Sequence, residues 1–135
     1  MSIKGLITVG LSYCLIVTSC DNKEKVTIYV TNVSQYTDST ELSILINDSL
    51  YLKQQFKYSD IVPKYDVFEY KLPKGKYGIK IVEARYGTQK LDSLTIPKDK
   101  YVFISFNEHK KNLPANDTIK RGIYILKREK PTKLY

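Results

Sequence analysis

Apolar residues recur at every second position through most of the chain after residue 25, and this alternation predicts strands. Val26, Ile28 and Val30 alternate with Thr27, Tyr29 and Thr31, the period of a half-buried strand. Leu42, Ile44 and Ile46 form a second set. Asn47-Asp48-Ser49 then supplies turn chemistry, and Leu50 and Leu52 resume a strand reaching toward Phe56, which reads as a hairpin. Phe68, Tyr70 and Leu72 form the next inward set. Pro73-Lys74-Gly75-Lys76 turns the chain into Tyr77, Ile79 and Ile81, with Gly75 able to take the positive φ of the turn. Leu94 and Ile96 mark a short strand stopped by Pro97. Tyr101 to Phe106 is apolar on both faces, as a central strand is, and Gly122 to Lys127 forms the last strand. The polar segments 35–40, 59–64, 85–89 and 107–121 read as loops. No ten-residue window has a helical period and no internal repeat appears. Seven or eight short strands with frequent turn signals predict an all-β sandwich or barrel.

The first twenty residues follow a different rule. Met1 to Lys4 carries one positive charge, and Gly5 to Val17 is an uninterrupted stretch of thirteen residues, mostly apolar. That length is short for a bilayer span and right for the apolar core of a signal peptide. It ends at Val17-Thr18-Ser19-Cys20, followed by polar Asp21 to Lys25. This ending resembles the lipobox of bacterial lipoproteins: an aliphatic residue and two small ones precede an acylated cysteine. The resemblance implies a diacylglyceryl group on the Cys20 thiol, cleavage before Cys20 and acylation of the new amine. The expected organisation is a signal peptide over 1–19, a lipidated cysteine and tether over 20–25, and a sandwich over 26–135. The expected place is the cell envelope, anchored to a membrane on its periplasmic face or at the cell surface, with the outer membrane favoured. Between Cys20 and the strand expected at Val26, an extended tether reaches roughly 16 Å.

The segment Tyr70 to Ile81 resembles the Leu-Pro-x-Gly hairpin of transthyretin-like modules, including carboxypeptidase regulatory-like domains. The Ile44–Leu52 hairpin is similar. The resemblance implies a single immunoglobulin-like or transthyretin-like sandwich, and an accessory role in adhesion, assembly or binding.

Composition narrows the chemistry. Cys14 falls in the signal segment and no cysteine follows Cys20, so the exported domain has no disulfide and no thiol nucleophile. His109, the single histidine, cannot form a histidine cluster and reads as a solvated loop residue. Asp66 and Glu69, three apart in a strand, fall on opposite faces and do not pair as acid and base. Phosphate-binding and nucleophile-elbow motifs are absent. The chain is therefore expected to be non-enzymatic, with no catalytic residues, metal or cofactor. The net charge of +8 suits anionic partners, though the lysines are scattered along the sequence. Nucleic acid is not an expected partner for an exported, lipid-anchored domain. Another envelope protein is the expected partner. A glycan or small ligand is the alternative, through tyrosines such as Tyr58, Tyr65 and Tyr86.

Asp followed by Ser or Thr and an aliphatic or small residue occurs at Asp38-Ser39-Thr40, Asp48-Ser49-Leu50, Asp92-Ser93-Leu94 and Asp117-Thr118-Ile119. Composition predicts ~0.3 such triplets. The triplet resembles the O-glycosylation acceptor of one large group of Gram-negative bacteria. That resemblance implies glycans on Ser39, Ser49, Ser93 and Thr118. Asp-Ser and Asp-Thr are also ordinary turn pairs.

Overall fold

A computed structural model describes residues 22–58, 64–110 and 119–131. Eight strands follow one another: β1 (Lys23–Asn32), β2 (Ser39–Ile46), β3 (Ser49–Lys57), β4 (Asp66–Pro73), β5 (Gly75–Glu83), β6 (Gln89–Ile96), β7 (Tyr101–Lys110) and β8 (Ile119–Arg128). They form two four-stranded sheets, here called A (β4-β1-β7-β8) and B (β3-β2-β5-β6). The fold is an all-β sandwich consistent with an immunoglobulin-like or transthyretin-like architecture. All pairings are antiparallel except β1 with β7.

The alternation read from the sequence defines the core. Val26, Ile28 and Val30 of sheet A face Leu42, Ile44 and Ile46 of sheet B, and Ile79, Ile81, Leu94, Val102, Ile104 and Phe106 complete the interior. β7 lies between β1 and β8, as its two apolar faces require. Asn47 and Asp48 turn the β2–β3 hairpin with φ of 47° and 64°, the positive pair that matches strand twist in a two-residue turn. Gly75 has φ 154°, outside the usual range for residues with a Cβ.

A bulge interrupts the β2–β3 hairpin, and two local readings change. A shift in register between Ile44 and Leu45 sets Leu50 opposite outward-facing Leu45, while Leu52 stays opposite Ile44. This bulge puts Leu50 on the surface, 58% exposed, out of phase with Leu52. Residues 107–110 and 119–121, read as loop, lengthen β7 and β8 as a continuous ladder from Asn107↔Gly122 to Lys110↔Ile119. His109 is accordingly a strand residue, although an exposed one. Finally, β1 begins at Lys23, three residues before the expected start.

The open sides of the sandwich are closed differently. On the β3–β4 side, Phe56 meets Phe68 and Tyr51 meets Tyr70 edge to face across the two sheets. The Tyr70 hydroxyl donates to the Tyr51 carbonyl, and burial pushes the Tyr70 phenol above its ordinary pKa. On the β6–β8 side, the Lys127 ammonium donates to Asp92 Oδ1 at 3.1 Å and to the Ser93 carbonyl at 2.8 Å.

Candidate interaction face

The outer faces of the two sheets differ in kind. Residues facing outward alternate with the core residues, so the register places Tyr29, Val67, Phe103, Tyr124 and Leu126 together on sheet A. Tyr29 and Phe103, on neighbouring strands, stack with centroids 4.6 Å apart and planes 7° from parallel. Tyr65 stands edge-on to both rings. Beside this cluster, Tyr65, Phe103, Tyr124, Leu126 and Arg128 line a groove of about 270 Å³. Val67, Tyr124 and Leu126 are each about half exposed. The outward positions of sheet B are more polar, including Glu41, Ser43, Lys53, Gln55, Lys80 and Thr95, with Leu45, Leu50, Val82 and Leu91 among them.

Three of the four hydroxyls expected to carry glycans belong to sheet B. Ser39, Ser49 and Ser93 are all exposed, at the starts of β2 and β3 and within β6. Ser39 Oγ donates to Gln55 Oε1 at 2.8 Å. Asp92 is tied down beside Ser93. Its partial desolvation disfavours the charge, but the Ser93 N–H and the Lys127 ammonium outweigh that, holding the carboxyl below its ordinary pKa. Asp38 and Asp48 are exposed. Thr118 and Cys20 lie outside the described residues. Of the tyrosines named for a ligand, Tyr65 joins the sheet A cluster, Tyr58 lies at an isolated bridge to Asn32, and Tyr86 lies in the β5–β6 loop under Arg121. They do not converge on one platform.

Two glutamates that the sequence did not single out are buried. Glu83, 0% exposed, accepts from the N–H groups of Arg85 and Tyr86 and from Thr40 Oγ1. Glu108, 3% exposed, accepts from Thr37 Oγ1 at 2.7 Å, with Arg121 Nε 3.7 Å away. The Arg121 guanidinium carbon lies 3.4 Å from the centre of the Tyr86 ring, so sheet A and the β5–β6 loop of sheet B meet through a cation on an aromatic face. Asn32 Nδ2 adds donors to the Phe56 and Thr37 carbonyls. These bonds occupy the glutamates in holding loops to strands. Strand parity could have found both, since Glu83 continues Ile79 and Ile81, and Glu108 continues Ile104 and Phe106.

Asp66 and Glu69 are both exposed, and Glu69 pairs instead with Lys25 at 2.8 Å. Among the described residues, no group of three His, Cys, Asp or Glu side chains could hold a metal ion. No family model matches the chain, and no curated protein matches its sequence.

Proposed function

We propose that this chain is a lipid-anchored envelope protein, held by acylated Cys20, whose sandwich serves as a non-enzymatic interaction module through the outer face of sheet A. Sheet B exposes Leu50 and Leu91 beside a groove of about 180 Å³, and what carries the proposal is the aromatic cluster and larger groove that sheet A has in addition. Sheet A exposes Tyr124 and Leu126 along a groove ending at Arg128, with Val67 exposed beside Tyr29, and exposed apolar patches with a polar rim favour protein contacts. The partner expected there is another envelope protein. The sugar-binding alternative needs exposed, coplanar rings. Here the parallel rings, Tyr29 and Phe103, stack on each other, and Phe103 is only 9% exposed. The groove is also slightly smaller than a typical small-molecule site, at about 300 Å³ or more.

If the Asp-Ser triplets are glycosylated, the sugars at Ser39, Ser49 and Ser93 occupy sheet B and leave the sheet A face open. A photo-crosslinker at Tyr124, compared with one at Lys53 on sheet B, tests the reading in cells. Discrete protein adducts from position 124, sparse from 53, are expected. Equal patterns from the two positions would remove sheet A as the interaction face.

A further inference from the structure

The lysines are scattered in the sequence, but the topology gathers many of them at one end. We infer that the end of the sandwich where β1 begins is a basic cap that docks on anionic lipid headgroups and stands the strands upright on the membrane; this rests on the lipidation of Cys20 proposed above.

Four separate segments meet there. β1 opens with Lys23 and Lys25, and Lys23 is in register with Pro73 at the end of β4. The crossing from β4 to β5 adds Lys71, Lys74 and Lys76. The crossing from β6 to β7 adds Lys98 and Lys100, next to Tyr101, which is in register with Thr27. Tyr101 is opposite Arg128, and Lys130 follows it.

The balance at this end is positive, with Lys23, Lys25, Lys71, Lys74, Lys76, Lys98, Lys100, Arg128 and Lys130 against Glu24, Asp48, Glu69, Asp99 and Glu129. Lys25 is offset by Glu69 at 2.8 Å and Lys100 by Glu24 at 3.8 Å. The other cations of the cap have no carboxylate at ion-pair distance among the described residues. Asp99 Oδ2 accepts from the Thr95 N–H. Lys71 lies directly opposite Lys25 in the β1–β4 ladder, and because Glu69 engages Lys25, Lys71 is the one left without an ion pair. The opposite end also exposes Lys57, Lys64, Arg85, Lys90 and Lys120, while its glutamates are buried and Arg121 is engaged by Glu108 and Tyr86, so charge alone does not choose between the ends.

The length of chain before β1 identifies the occupant. Lys23 is three residues from Cys20. Even fully extended, that link spans about 10 Å, on the order of one Debye length at physiological salt. An acylated Cys20 therefore keeps the cap within the field of an anionic leaflet. A basic residue at that surface strengthens association about fivefold. Headgroup phosphates are the anions within reach, and they arrive as a plane that cations from four segments can meet together.

The test uses lipidated protein purified from cells and reconstituted in vesicles of phosphatidylcholine, with or without phosphatidylglycerol. Lysine amines are acylated by a water-soluble reagent and read residue by residue by mass spectrometry. Lys74, Lys98 and Lys130 should label several-fold more slowly on the anionic vesicles, and the difference should vanish at high salt. Lys53 and Lys120 should label equally on both. In a K74E/K98E/K130E variant, Lys23 and Lys71 should lose their protection. Equal labelling of the cap on both vesicles, with the protein floating on both, overturns the docking and leaves the anchor standing. Flotation with anionic but not neutral vesicles supports the cap and counts against the anchor.

Discussion

The two ends of the sandwich both expose lysines, but they treat their carboxylates differently. At the distal end, Glu83 and Glu108 are buried, and every bond they make is internal: backbone N–H groups, threonine hydroxyls and the guanidinium of Arg121. At the end near Cys20, the turns are short and the lysines stay in water. A buried carboxylate must be satisfied within the fold, because leaving it bare costs several times what an ordinary hydrogen bond contributes. An exposed lysine has no such requirement and keeps its charge for an outside surface. The buried distal glutamates therefore belong to stability, and the exposed lysines at the end where β1 begins, the end within reach of a Cys20 anchor, to encounter.

Substitutions should separate the two roles. The largest effect is expected from Glu83→Ala, which strands the Arg85 and Tyr86 N–H groups and the Thr40 hydroxyl. A loss of about 3 kcal/mol, read from the denaturant midpoint, is expected. Arg121→Met keeps an apolar stem over Tyr86 but removes the cation beside Glu108. Because Arg121 remains partly exposed and its Nε makes no hydrogen bond, about 2 kcal/mol is expected, less than a fully buried ion pair.

Lys127→Met loosens the β6–β8 side, and up to about 1 kcal/mol is expected. Its signature is pH dependence. Asp92 has a lowered pKa in the folded protein, so its contribution is present above the unfolded value of about 3.8 and is lost as pH falls through the folded value. Acid titration of wild type should therefore show a loss of stability below about pH 4 that the variant lacks in part. At the proximal end, Lys74→Glu with Lys98→Glu should change stability by no more than about 0.5 kcal/mol. A proximal change as large as that of Glu83→Ala would erase the distinction.

Much of the fold was legible because alternation is a local signal. Val26 to Val30, Leu42 to Ile46 and Ile79 to Ile81 each state their own inward face, and Asn47-Asp48 and Gly75 state their turns. The outward turn of Leu50 was not legible, because a bulge inverts parity without any mark in the residues around it. The strand extension at Asn107 to Lys110 was hidden by its polarity, since its inward residue is Glu108 instead of an aliphatic. Neither surface was legible. The sheet A cluster joins Tyr29, Tyr65 and Phe103 from distant segments, and the basic cap joins lysines from four. Only pairing between strands brings such residues together.

The proposed anchor is Cys20, which lies outside the described residues. Mass spectrometry of the N-terminal peptide of the protein purified from its native membrane tests it directly. The expected peptide begins at Cys20 and carries a diacylglyceryl thioether with an acylated amine. A peptide beginning at Met1, or one beginning at an unmodified Cys20, would contradict the lipid anchor and the orientation built on it.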